Sequence, residues 1–187
     1  PVLNSHWLSQ VIFYFVHRSA SVGGLILLTT IINGLALGLL FYVAARRVGP
    51  VIPSLVFIPF LFIFTDRSWV RPEMFGNLFY VIVLLSLFSP RVRRIAKWTF
   101  PLITILWVNL HISWIIGIFA MIVVLLADSV HNSKFKIHNS LILALTAGAL
   151  FINPYGWGGV VGALNVLNKY GYTIVENQSL WFLKDFG

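Results

Sequence analysis

The sequence predicts an all-α fold, a polytopic transmembrane helical bundle of about six spans with interfacial helices at both ends. Three observations carry that expectation. Between Lys97 and Asp128 stand 30 consecutive residues without a formal charge, and residues 19–45, 48–65 and 74–90 are likewise uncharged and strongly apolar. A bilayer core takes about 17–25 apolar residues per helical span. The whole chain of 187 residues is 59% hydrophobic with a mean hydropathy of +0.91, and only 10% of it is charged. A soluble domain carries about twice that charged fraction. Finally, the basic residues lie between the apolar blocks, so the net charge of +8 reads as membrane anchoring and not as nucleic-acid binding. The absence of cysteine excludes disulfides, thiolate metal sites and thiol nucleophiles.

The elements follow in order. Trp7–Val16 sets Leu8, Val11, Ile12 and Phe15 at helical spacing on one face, with Ser9, Gln10, Tyr14 and His17 off it. This predicts a helix lying on the outer interface. The first span covers 22–44 and stops at Arg46-Arg47; within it, Gly34 and Gly38 form a GxxxG pair that permits close helix approach. The second span covers 49–65 and stops at Asp66-Arg67. The third covers 74–90 and stops at Arg91, Arg93, Arg94 and Lys97. As a single helix the 30-residue block would be about 45 Å long, well beyond a hydrocarbon core of roughly 30 Å. The polar break Asn109-Leu110-His111 divides it into spans at 98–109 and 112–127. The sixth span, 139–152, is closed by Asn153-Pro154-Tyr155-Gly156. Residues 157–168 form a second interfacial helix, and 169–187 an aromatic-anchored loop. The chain opens at Pro1 without an initiator Met and reads as one transmembrane module, 1–187, internal to a larger membrane protein.

Lys and Arg concentrate on the cytoplasmic side of membrane proteins. With Arg46-Arg47 inside, the inner loops hold Arg46, Arg47, Arg91, Arg93, Arg94, Lys97, Lys134 and Lys136, eight of the 13 Lys and Arg. The polar punctuation then gathers outside: Asp66–Glu73, Asn109, His111, Asn153, Tyr155 and Glu176. No span carries a charge near its middle, which argues against proton relays and ion-coupled transport. Each outer residue also has a plain structural reading. Arg71 can snorkel to headgroups beside Trp69, and Asp66 can cap a loop. Pro72-Glu73 is a good helix start. His111 can be an interfacial hydrogen-bonded histidine.

Taken in order, the strings Trp7-Leu8-Ser9-Gln10, Arg71-Pro72-Glu73-Met74-Phe75, Trp107-Val108-Asn109-Leu110-His111, Asn153-Pro154-Tyr155-Gly156 and Glu176-Asn177-Gln178-Ser179 resemble bacterial GT-C-type membrane glycosyltransferases that use polyprenyl-phosphate sugars. The resemblance covers nearly all of the chain. It implies that the six spans are helices two to seven of that module. The family's acidic motif, in an outer loop after a first helix, would lie before Pro1. Family members often carry a histidine two places before Trp-Leu-Ser; here Ser5 holds that place and His6 is adjacent.

The resemblance implies an enzyme that moves a sugar from a polyprenyl-phosphate donor to an acceptor at the outer face of the plasma membrane. Its partners would be membrane lipids and the lipid-linked sugar. Arg71 would contact phosphate, with Asn109 and His111 as hydrogen-bond partners and Asn153, Tyr155 and Glu176 lining the substrate site. Asp66 or Glu73 would act as base only if the upstream loop lacks an acid. His111 and two carboxylates share a face on which a divalent metal could sit, although no ligand spacing demands one. Two other functions fit the pattern, a flippase for lipid-linked substrates and a non-catalytic membrane scaffold.

Overall fold

The computed structural model describes residues 4–65, 69–131 and 136–165. Within them are seven helices and no strand: α1 (Trp7–Val48), α2 (Val51–Thr65), α3 (Glu73–Phe88), α4 (Pro90–Leu110), α5 (Trp114–His131), α6 (Lys136–Ala149) and α7 (Trp157–Leu164). The all-α expectation is therefore met. By length and composition, α1 alone among the described residues is long and apolar enough to cross a membrane. Shorter apolar helices occupy Val51–Phe62, Glu73–Phe88, Trp114–Ser129 and Ile137–Ala149.

Helix α1 is two helices joined at a break. Ala20 and Ser21 leave helical geometry, and Ser21 takes φ 53 and ψ −157, a region that suits glycine. The break falls where the sequence separates the 7–16 helix from the 22–44 span. The face assigned to the first part needs correction. Leu8, Ile12 and Phe13 pack inward on Met74 and Phe75, and Ser9 is buried. Val11 and Phe15 point outward instead, because the partner is the α3 surface and not a flat interface. Gly34 and Gly38 have open space around them in the described residues, so the GxxxG pair packs nothing here.

Other boundaries move as well. The basic cluster 91–97 is not a loop, because α4 begins at Pro90 and carries it in its first turns. The Ser89 hydroxyl accepts from the Val92 amide and Pro90 opens the helix, which is a strong start signal. The fourth span thus lengthens from 98–109 to a helix of 21 residues, about 32 Å of axis. Helix α7 covers Trp157–Leu164 of the expected 157–168 helix, and residues 166–168 lie outside the described residues. Residues 169–187 lie outside the described residues, as do Asp66, Lys134 and Glu176.

The helices share two ends. At one, the Arg47 guanidinium stands over the Phe88 ring. Arg93 donates to the Ser86 and Leu87 carbonyls. Lys97 meets Asp128 and Asn139. At the other end, Trp7 meets Asn109, which reaches Ile152. The block between Lys97 and Asp128 is therefore an antiparallel hairpin whose two flanking charges touch at 2.7 Å. Both charges lie towards the ends of their helices, two turns into α4 and in the last turn of α5. Lys97 is 3% exposed, and its charge is tolerated because the partner carboxylate comes with it.

Helix α4 sits centrally, packed on α1, α3, α5 and α6, while α2 leans on α1. Phe100, Trp107, Met121, Val124 and Ile142 form the core. Polar groups are also buried there, among them Thr29, Asn33, Thr104, Asn139 and Thr146. The outside is apolar: Leu55 is 69%, Phe119 68% and Ile137 82% exposed.

Candidate functional site

The α4–α5 turn organises the second end of the bundle. His111 leaves helical geometry at φ −160, while its amide still donates to the Trp107 carbonyl at 2.9 Å. Ser113 then closes the turn. Trp107 Nε1 donates to Ser113 Oγ at 3.0 Å, and Ser113 Oγ lies 2.7 Å from His111 Nδ1. The Ser113 amide also donates to His111 Nδ1, at 3.2 Å. Tyr80 Oη donates to the Ser113 carbonyl.

Two glycines make this packing available. A β-carbon on Gly76 of α3 would fall 2.6 Å from Ser113 Oγ, and one on Gly117 of α5 would strike the Trp107 ring. Phe79 and Tyr80 close on the same ring, with centroids at 5.4 and 4.8 Å.

His6, just ahead of α1, stacks on His111 with centroids 5.0 Å apart and planes 21° apart. The Nδ1 atom of His6 is buried and meets no hydrogen-bond partner among the described residues. Burial pushes the His111 imidazole down from the usual 6.5 to about 4; the nearby His6 adds to that effect and Glu73 opposes it. His111 is therefore neutral at pH 7. Between these two values the folded chain binds fewer protons than the unfolded one. The stabilising contribution is full above pH 6.5, and it is lost as pH falls towards 4. The thermal midpoint in detergent should fall over that window, and His111→Gln should flatten the dependence. An unchanged slope in the variant would exclude His111 as the titrating group.

Asn109 acts as a clamp. Its Oδ1 accepts from Trp7 Nε1 at 2.8 Å, and its Nδ2 donates to the Ile105 and Ile152 carbonyls at 2.7 and 2.8 Å. One amide thus joins α1, α4 and the segment after α6. Asn153 serves its own turn. Nδ2 donates to the Leu150 and Gly156 carbonyls, and Oδ1 accepts from the Tyr155 amide. A β-carbon on Gly159 would collide with that Oδ1. Tyr155 is exposed.

Arg71 is half-buried and engaged, and its carbonyl accepts from the Met74 amide as α3 begins. Glu73 is exposed in the first turn of α3. The start of α3 lies at the His111 end, since Gly76 touches Ser113 and Glu73 acts on the imidazole. His111, Asn109, Asn153, Glu73 and Arg71 are thus gathered at one end of the bundle. Asp66 and Glu176 lie outside the described residues. Among the described residues no three His, Asp or Glu side chains converge as a metal site.

Beside this cluster runs an open groove of about 430 Å³, lined by Trp7, Leu8, Ile105, Leu106, Asn109, Ile152, Asn153 and Pro154. Its walls are mostly apolar, and both asparagines that border it hold the fold. Sequence reasoning missed Ser113 and Gly76, gave Trp7 and Trp107 no site role beyond the strings that carry the resemblance, and left His6 aside. The one available signal was Trp107-x-x-x-His111-x-Ser113, which returns three polar groups to a single turn.

No family model, characterised protein or solved structure matches the chain.

Proposed function

We propose that this chain is the helical module of a membrane glycosyltransferase that takes a sugar from a polyprenyl-phosphate donor at the outer face of a bacterial plasma membrane. The observation that carries this reading is the adjacency of two unlike surfaces. An open apolar groove of about 430 Å³ runs beside a polar end that gathers Arg71, Glu73, His6 and His111. That size is typical of ligand pockets. An amphiphile with a long apolar tail and an anionic head matches the pair. In the reaction the bond from the anomeric carbon to the phosphate oxygen breaks and the lipid phosphate leaves. Arg71 and the His111 N–H stabilise the charge that develops on it. A carboxylate takes the proton of the acceptor hydroxyl.

The membrane setting is supported by the inverted polarity of the bundle. Large apolar side chains cover its outside while Thr, Asn and Lys are buried, and soluble monomers rarely expose such continuous apolar surface. In this reading six helical segments cross the bilayer: the second part of α1, then α2 to α6. The Arg47–Arg93–Lys97 end lies in the cytoplasm, as the distribution of basic residues favours.

The chain has no cysteine, so single-cysteine variants test the orientation directly. An impermeant maleimide added outside should label Tyr155→Cys but not Arg94→Cys or Ile137→Cys. Outside labelling at 137 would reverse or break the topology.

The activity is tested with the purified full-length protein in lipid nanodiscs and a labelled polyprenyl-phosphate sugar. Sugar transfer with release of polyprenyl phosphate is the expected result. Its absence with every such donor would overturn the reading. One observation favours a flippase instead: Thr29 and Asn33, one turn apart on α1, and Thr146 on α6 are buried with a side-chain oxygen that meets no partner among the described residues. Movement of intact donor across the bilayer without transfer would select that alternative.

A further inference from the structure

The hydrogen bonds around His111 determine where its proton sits. A backbone amide can only donate, and the Ser113 amide points at His111 Nδ1 from 3.2 Å. The Ser113 hydroxyl lies closer, at 2.7 Å. Its oxygen accepts from Trp107 Nε1 at 3.0 Å, which leaves its own proton available to an Nδ1 that already accepts from the amide. With two donors aimed at it, Nδ1 must be the lone-pair nitrogen. The proton of the neutral ring is then on Nε2, and the ring's hydrogen bonds among the described residues are both made at Nδ1.

The surroundings hold this arrangement in place. Trp107 is 1% exposed and stands against Gly117 between the Phe79 and Tyr80 rings. Gly76 closes on Ser113 from α3. His6 from α1 covers one face of the His111 ring, and Glu73 of α3 lies near enough to act on it.

We propose that Ser113, anchored by Trp107, is a positioning residue that holds His111 as a neutral imidazole with its proton on Nε2, and that this N–H is a hydrogen-bond donor to a phosphate-ester oxygen. The ligand class rests on the proposed transferase function, whereas the position of the proton does not. A neutral donor differs from a cation at this place. It binds an anion without first being charged, and it cannot release its proton to the leaving group as an imidazolium would. It therefore stabilises charge by hydrogen bonding alone, with the same strength across neutral pH.

Nitrogen-15 spectra of histidine-labelled full-length protein in nanodiscs test both halves. His111 is assigned as the signal missing from His111→Gln. At pH 7 the expected pattern is an unprotonated Nδ1 and a protonated Nε2, unchanged up to pH 8. A polyprenyl monophosphate should shift Nε2, and the polyprenol of the same chain should not. Inorganic phosphate shifting Nε2 as strongly would keep the phosphate site but remove the lipid as its source. Ser113→Ala should weaken the polyprenyl phosphate titration about fivefold, and Ser113→Thr, which keeps the hydroxyl, should restore it. A protonated Nδ1 in the unmutated protein at pH 7 would overturn the proposal whatever the variants do. Indifference of Nε2 to both phosphates would overturn its binding half. If Nε2 responds as expected but no donor sugar is ever transferred, the transferase reading falls and this site stands.

Discussion

Asp128→Ala should cost about 3–5 kcal/mol of stability. The reason lies with Lys97, whose side chain is 3% exposed and whose Nζ is 2.7 Å from Asp128 Oδ2. Removing the carboxylate takes away the counter-charge that sits 2.7 Å from a buried ammonium. Asn139 Oδ1 at 3.0 Å is a neutral acceptor and does not replace it. Arg93, 3.9 Å from the other carboxylate oxygen, also loses its ion pair, although it keeps its bonds to the Ser86 and Leu87 carbonyls. Asn139 Nδ2 loses one acceptor of the three it has. Asp128→Asn keeps one oxygen and should cost less. Lys97→Leu combined with Asp128→Leu should come close to the parent, because two matched charges leave together. Thermal or denaturant unfolding in detergent reads all three. A loss under about 1 kcal/mol in Asp128→Ala, the range of an exposed pair, would mean the ammonium reaches water and the hairpin ends are open.

Arg71→Ala and His111→Ala should each lower sugar transfer by about 10²–10³ in kcat, the effect of deleting one donor aimed at developing charge. Folding and membrane insertion should be unaffected. Arg71→Lys should recover only part of the rate, because an ammonium cannot reproduce the planar two-point fork of guanidinium on phosphate. His111→Gln keeps an N–H donor and should retain more activity than the alanine variant. The measurement is turnover of a labelled polyprenyl-phosphate sugar by the purified full-length protein. Unchanged turnover in both alanine variants would reduce Arg71 and His111 to structural punctuation. The two experiments probe opposite ends of the same helices, so a loss at Asp128 that spared transfer in the surviving folded fraction would separate scaffold from site.

The division of the long uncharged block shows how far linear reading reaches. Length alone argued for two helices, because about 45 Å of helix overshoots a bilayer, and the Asn109-Leu110-His111 break marked the turn. Both inferences use local properties and both agree with the hairpin. The pairing of Lys97 with Asp128 did not follow in the same way. The two residues were visible as the edges of the block, yet only the antiparallel return of α5 brings them to 2.7 Å. For the same reason the sequence places Arg91–Lys97 in a loop, where the structure has the first turns of α4. Charge density suggests solvent, whereas Ser89-Pro90 starts a helix and Asp128 accommodates the buried Lys97.

At the site, residue type marked His111, Asn109 and Asn153 correctly as interruptions of apolar sequence. It could not assign their bonds. Asn109 is tied to Trp7, 102 positions away, and to Ile152, 43 positions away. A side-chain amide that far from its partners carries no sequence signature of them. His6 was likewise unremarkable until its ring met His111 at 5.0 Å. Gly76 reads in sequence as one more glycine near a helix start; its use is visible only from the 2.6 Å that a β-carbon would leave to Ser113.

What the sequence determined by itself was set by short-range chemistry: helices across the described residues, most of the breaks between them, and the sorting of basic residues from polar ones along the chain. These depend on apolar run length, proline and glycine, and charge spacing, which act within a few residues. Tertiary structure alone decided which breaks meet and which charge is buried. It also decided which side of an imidazole holds the proton. Those outcomes depend on contacts between residues tens of positions apart, where a shift of a few ångströms in helix packing separates a 2.7 Å bond from no bond.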